Sequence, residues 1–404
     1  MAKKIAIEQT EIEAPYELPE GWKWVKIGDI AEIINGKNQK DVEDENGVYP
    51  IYGSGGIIGK ARNFICPENC TIIGRKGTIN NPIFVETKFW NVDTAFGMKT
   101  FDCVNPKFYF YFCKSYNFTT LDSSTAIPSL TKTNIQQIPF PLPPTLAEQE
   151  RIVNRIEKMF AKLDQAQEKA QAVLDSFETR KAAILHKAFT GQLRIDNEEL
   201  TMEDWEEKKL EDVLIEKPRN GYSTTAVDYE TPYKTMSLSA TTSGYFRPEF
   251  CKYIEADISD DSFLWLKPGD ILIQRANSLD KVGTSAIYTG GEHEFIYPDL
   301  MMKLQVKETI SNAFIAYQLK TEESLAYFRN NATGTAGNMP KINQKTVCNL
   351  PIKLPPLNYQ LSIVNFLDTV LEKESRAKEA AQTVLDQIAL LKKSILARAF
   401  RGEL

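Results

Sequence analysis

The chain has little of what hydrolytic and metal chemistry require. It holds two histidines in 404 residues, His186 inside a long helical pattern and His293 in a Gly-Gly-Glu-His turn. Both read as structural or solvated, which disfavours catalysis built on a histidine base. Cysteine is scarce as well: the six (Cys66, Cys70, Cys103, Cys113, Cys251, Cys348) are spread too widely for a disulfide framework. The Cys66 and Cys70 spacing is not Cys-x2-Cys, so no metal site is expected. No apolar run approaches the ~20 residues of a bilayer span, and residues 1–14 are charged with no apolar core like that of a signal peptide. A cytoplasmic location without a membrane partner is the expectation.

What is present suits a globular protein with more than one core. Hydrophobic residues make up 42% and charged residues 25%, too apolar for disorder, and the length is two to three times that of a typical domain of ~150 residues. The net charge of −6 excludes a uniformly basic coat but hides local sign. Residues 51–145 carry 9 basic and 5 acidic side chains, whereas residues 233–346 carry 12 and 13. An anion site in the second region must therefore be a local cluster.

Self-comparison gives the architecture, because a match at fixed offset identifies a repeat before any element is assigned. At an offset of 211, residues 170–193 match residues 381–404 at 12 of 24 positions. Ile138 to Pro144 matches Leu350 to Pro356, Pro128 corresponds to Pro340 and Leu130 to Ile342, and Trp22, Ile27, Asp29 and Ile30 correspond to Trp205, Leu210, Asp212 and Val213. One unit is written twice.

Each Pro-Pro pair marks a boundary, and the stretch after it is helical. In the first unit the apolar seam includes Ile152, Ile156, Leu163 and Val173, with Arg180 its one polar member; in the second it includes Ile363, Leu367, Val384 and Ile388, with Glu374 the exception. A 3.5-residue period held over five heptads is a coiled-coil seam, and two such helices in one chain can pair antiparallel. Each stops at a glycine, Gly191 or Gly402. About 42 residues give a rod of roughly 60 Å. The expected fold is α+β: two pseudo-symmetric mixed α/β recognition bodies separated by an antiparallel coiled coil of two long helices. Its expected segments are a tail at 1–17, a body at 18–144, a long helix at 145–191, a linker at 192–204, a body at 205–354 and a long helix at 355–404.

Motifs for catalysis are incomplete. Ser54 to Lys60 resembles part of a phosphate loop but has Ser54 where glycine is needed and Ala61 where serine or threonine is needed. Asn81-Pro82-Ile83-Phe84 is broken at Ile83 as a base-flipping motif, and Glu86-Thr87-Lys88 lacks a partner acid for a nuclease cluster. The chain reads as non-catalytic, with no cofactor of its own.

Recognition chemistry remains. Ser54, Gly55, Arg62, Arg75, Lys76, Thr78, Asn80, Asn81 and Ser124 in the first body, and Arg275, Asn277, Ser278, Lys281, Thr335, Asn338 and Lys341 in the second, are the candidate DNA-binding residues. Arginine reads guanine and asparagine reads adenine in the major groove, while lysine and serine hold phosphates. Solvated turns would look similar one loop at a time. The recurrence near the equivalent Arg75 and Arg275, and before the equivalent Pro128 and Pro340, favours function. The competing class is a non-catalytic coiled-coil scaffold whose bodies bind proteins.

The whole layout resembles the specificity subunit of type I restriction-modification systems. The resemblance is carried by Leu18-Pro19-Glu20-Gly21-Trp22, by Leu-Pro-Pro before each long helix, and by the segments Tyr49 to Gly56, Gly269 to Ile273 and Gly334 to Asn343. The second body departs from the pattern, opening with Thr201-Met202-Glu203-Asp204-Trp205. The resemblance implies that each body reads one half of a split double-stranded DNA target, with the helices as a ruler between halves. It implies further that two modification subunits dock on the helical region to methylate adenine, that restriction subunits complete a nuclease, and that AdoMet, ATP and Mg²⁺ belong to those partners.

Overall fold

The structure, a computed structural model, describes residues 14–122, 127–195, 198–199, 205–334 and 339–404. They form two compact units, Met1–Ala172 with Ala381–Leu404 and Val173–Ala380. Each unit holds one body and a stretch of both long helices.

In the first unit a four-stranded antiparallel sheet runs in the order Ala31–Asn35, Ala95–Thr100, Cys70–Gly74, Ile83–Val85. Cys70–Gly74 is buried at every residue, as its continuous apolar run requires of a strand covered on both faces. A smaller sheet joins Gly56–Ala61, Tyr49–Gly53 and Trp90–Asn91, the last pair parallel. Lys23–Lys26 pairs with Pro139–Leu142, tying the start of the body to the lead-in of the first long helix.

The second unit repeats this plan. Arg219–Asn220, Met301–Leu304, Ile271–Gln274 and Ser285–Ile287 form the four-stranded sheet, and Glu206–Lys209 pairs with Pro351–Leu354. Its other sheet again contains one parallel pair, Tyr233–Met236 with Phe295–Ile296. The Asn-Gly dipeptides after the first strand of each larger sheet show why glycine recurs. A Cβ on Gly36 would stand 1.8 Å from the Val92 carbonyl oxygen, and one on Gly221 2.0 Å from that of Tyr297.

Short helices Pro106–Ser115 and Asn312–Gln318 complete the bodies, capped by Asn105 and Ser311. A buried glutamine at the start of each long helix locks it to this cap. Gln149 accepts from the Asn105 N–H (2.7 Å) and donates to the Cys103 carbonyl (3.1 Å). Gln360 accepts from the Ser311 N–H (2.9 Å) and donates to the Pro355 carbonyl (2.8 Å).

The long helices span Leu146–Phe189 and Leu357–Phe400, 44 residues each, and turn out of helix at Gly191 and Gly402 with φ of 71° and 74°. Within the first unit Ile152, Val153 and Ile156 share a core with Leu396, Ala399 and Phe400. Within the second, Leu185, Ala188 and Phe189 share one with Ile363, Val364, Leu367 and Leu371. In both cases the start of one helix meets the end of the other, so the pairing is antiparallel. Arg180 and Glu374, the polar interruptions of the two seams, meet each other at 2.8 Å.

Two positions of the second seam, Val384 and Leu391, need correction. Val384 is 37% exposed and Leu391 is exposed too, while Leu385 is half-buried and Ile388 and Leu396 are buried. A straight helix turns every 3.6 residues and drifts ~20° per heptad from a 3.5-residue stripe, so the buried line moves one residue onward. Leu163 and Val173 are half-buried.

Candidate nucleic-acid interface

The sheet places one arginine at the same point of each body. Gly74 ends the buried strand Cys70–Gly74, and Arg75 emerges from it exposed; Arg275 follows Ile271–Gln274 at the same point and is half-buried. The backbone N–H of Arg75 donates to the Thr94 carbonyl (2.8 Å), and that of Arg275 to the Leu300 carbonyl (2.9 Å). The guanidinium Nη1 donates to the Asp93 carbonyl at 3.3 Å in the first body and to the Asp299 carbonyl at 3.2 Å in the second. The arginine carbonyls accept from Leu130 (2.9 Å) and Ile342 (2.8 Å). The residue two places on is held by the proline of the returning loop, Gly77 N–H by Pro128 (3.0 Å) and Asn277 N–H by Pro340 (3.3 Å). Each guanidinium is thus anchored through one nitrogen, leaving other donors for a ligand. Arg275 Nε is buried without a partner.

Loops distant in sequence converge on this frame in the first body. A Cβ on Gly77 would lie 3.6 Å from Ser54 Oγ, and one on Gly55 3.9 Å from Thr78 Oγ1. The hairpin turn carrying Ser54 and Gly55 therefore sits beside the loop of Arg75, Lys76 and Thr78. Ser54 to Lys60 forms this hairpin, with no helix following it, so the likeness to a phosphate loop ends there. Arg62 is exposed and donates to the Asp41 carbonyl at 2.7 Å.

Two candidates in this body, both exposed, also make side-chain hydrogen bonds within it. Asn80 Oδ1 accepts from the Phe118 N–H (2.8 Å), and Asn81 Oδ1 from Lys114 Nζ (3.2 Å).

In the second body Asn277 donates to Gln274 Oε1 (2.6 Å) and accepts from the Ser278 N–H (2.7 Å), which stiffens the loop ahead of Lys281. Lys341 is exposed and paired through its backbone with Thr333 (2.8 and 2.9 Å). Ser124, Thr335 and Asn338 lie outside the described residues. Sequence reasoning missed the anchoring pair Asp93 and Asp299 and the buried Gln149 and Gln360.

The cysteine pair is structural in character. Cys66 Sγ is hydrogen-bonded to Asn91 Oδ1 at 3.1 Å, burial raises its pKa well above the usual thiol range, and burial pushes Cys70 up to about 12. Among the described residues no three His, Cys, Asp or Glu side chains group as metal ligands, and no helix is long and apolar enough to cross a membrane.

Comparison with known proteins bears directly on this duplicated frame. The profile of the type I restriction modification DNA specificity domain matches residues 19–174 and 202–384. The chain belongs to the type I restriction-modification DNA specificity family. It is similar along 96% of its length to the EcoKI specificity subunit of Escherichia coli K12, 22% identical over 90% of that relative. It is likewise similar to the MjaVIII specificity subunit of Methanocaldococcus jannaschii, 24% identical over 96% of this chain and 94% of the relative. Among solved structures, a chain described under "complex assembly and conformational transition of the type I R-M system" superposes with a TM-score of 0.76 at 18% identity, covering 96% of this chain and 100% of that one. The HsdS subunit from Thermoanaerobacter tengcongensis gives a TM-score of 0.60 at 19% identity, covering 97% and 100%. As a specificity subunit the chain recognises DNA sequence, without catalysis of its own, in complex with other subunits of its restriction-modification system.

Proposed function

We propose that each body reads one half of a bipartite double-stranded DNA target, with Arg75 and Arg275 at the centre of the two reading surfaces. The observation that carries this reading is the repetition of the arginine frame, bond for bond, beneath loops that are otherwise unlike. In the first body the neighbouring strands are joined by a tight turn at Ser54 and Gly55; in the second, Tyr233–Met236 and Cys251–Ile254 are joined by the stretch from Ser237 to Phe250, which includes a helix at Ser239–Thr242. Equal frames under unequal loops suit two different half-sites, hence an asymmetric target. Lysine and arginine contacts to phosphate position the duplex, and base-edge contacts from the loops specify it.

Two modification subunits dock on the helical region in this reading and methylate adenine, and restriction subunits join for cleavage. AdoMet, ATP and Mg²⁺ are held by those partners, and the helices set the number of base pairs between half-sites. Exchange of residues 20–144 for the matching stretch of a relative tests the division of labour. Mapping methylated adenines in cells carrying the hybrid system is expected to show one half-site changed and the other retained. Two unchanged half-sites refute it.

A further inference from the structure

We propose that Ile127 and Met339 are base-contacting residues, one in each half-site, making apolar rather than phosphate contact with the DNA. This rests on the DNA-reading assignment above and adds to it the specific residues that meet the bases.

Ile127 is 63% exposed and Met339 46% exposed, and they occupy equivalent positions, each directly before the proline that corresponds between the bodies. A single exposed aliphatic side chain on a protein surface needs no explanation. Here the same position is exposed and aliphatic twice, within loops whose other residues differ. Both copies stand on rigid ground. Proline holds the preceding residue extended. Pro128 and Pro340 are tied by their carbonyls to Gly77 and Asn277, and two residues later Leu130 and Ile342 are tied to the arginine carbonyls. Ser129 N–H is held by Asp122 Oδ1 at 3.0 Å. The aliphatic side chain is therefore offered to solvent by the same hydrogen-bonded frame that anchors the guanidinium, a costly way to expose hydrocarbon unless something covers it.

The surroundings name the cover. In the first body the exposed neighbours across the frame are Arg75 and Lys76, and the adjacent hairpin carries exposed Ile57 and Ile58. In the second, Lys341 stands two residues later, and Leu279 is exposed in the loop held by Pro340. Cations beside short aliphatic tips match a duplex: the cations meet the phosphates, and the tips reach thymine methyl groups or wedge against a base step.

The test uses the full chain assembled with the modification subunits of its own system and duplexes containing the mapped target. Ile127→Ala and Met339→Ala are each expected to weaken target binding about tenfold while leaving the salt dependence of binding unchanged, because no phosphate contact is lost. Discrimination should relax at one half-site for Ile127→Ala and at the other for Met339→Ala, with Ile127→Leu and Met339→Leu restoring most of the affinity. Wild-type affinity and discrimination in both alanine variants overturn the proposal and leave the recognition reading intact. A lowered salt slope, or a loss of subunit assembly in place of DNA binding, also overturns it. A wild-type complex that does not distinguish target from scrambled duplex refutes the recognition reading itself.

Discussion

Removing one member of the Arg180–Glu374 pair isolates a polar contact between the two predicted seams. Arg180 Nε and Nη2 both reach Glu374 Oε2 at 2.8 Å, with side chains 35% and 22% exposed. Solvent-exposed pairs are worth ~0.2–1 kcal/mol, and breaking a fully buried one costs ~3–5 kcal/mol. Partial exposure puts this pair between those limits, so a coupling of about 1–2 kcal/mol is expected. Glu374→Ala should be the milder single change, since the guanidinium keeps its contacts with Ser176 Oγ and, at 3.5 Å, the Val173 carbonyl. Arg180→Ala leaves Glu374 without its cation in a mostly covered position. The double replacement Arg180→Leu with Glu374→Leu continues both apolar seams and should be neutral or stabilising, because two desolvated charges are exchanged for packing. Urea unfolding of the wild type, the two single alanine variants and their double alanine combination closes the cycle. Single effects that add to within ~0.5 kcal/mol would refute the reasoning, for the side chains would then not be interacting.

The side chains that the repeat carried unnoticed give two further tests. Gln149→Ala and Gln360→Ala each remove the acceptor of a part-buried backbone N–H and weaken the joint between body and helix; each should cost about 1–3 kcal/mol in urea unfolding, with the two costs alike to within about 1 kcal/mol. A loss below ~0.5 kcal/mol in either would contradict the role assigned to the glutamine pair. Lys320 supplies a pH dependence. Its ammonium lies 4.9 Å over the Tyr245 ring and 5.3 Å over Tyr317, and desolvation, with Lys181 adding repulsion, lowers its pKa to about 8. The unfolded chain, with an ordinary lysine, binds more protons than the folded one between about pH 8 and 10, so this group's contribution to stability rises with pH across that window. Lys320→Met should raise the melting temperature at about pH 7 and remove that rise; identical pH profiles for variant and wild type would disprove it.

Much of the fold was legible because it was written twice. A match over the helix ends, the paired prolines and the two seams is visible without coordinates, since helix periodicity and Pro-Pro boundaries are local signals. The short apolar runs Cys70-Thr71-Ile72-Ile73 and Asp270-Ile271-Leu272-Ile273 read as strands for the same reason, and the structure has strands at Cys70–Gly74 and Ile271–Gln274. The site was harder to read. Arg75 and Arg275 stood out, but Asp93 and Asp299 did not, because they act through backbone carbonyls and any residue type has one. The offset between copies also changes from loop to loop, from Gly36 and Gly221 to Arg75 and Arg275 to Pro128 and Pro340. A comparison at one offset therefore loses the frame inside the bodies. Asn80 and Asn81 show why loop residues are hard to sort from sequence: short polar side chains in turns bond within the fold as readily as to a ligand.

By itself, then, the amino-acid order determined the duplication, the two long helices, their glycine stops and the shortage of catalytic groups, all properties of local pattern and composition. Tertiary structure alone decided that Arg180 faces Glu374, that the buried line passes Leu385 instead of Val384, and that Ser54, Gly77 and Pro128 converge around one arginine. The reason is physical: helix and turn preferences act over a few residues, whereas contacts between distant segments depend on strand register, helix drift and the fit of side chains in a shared core.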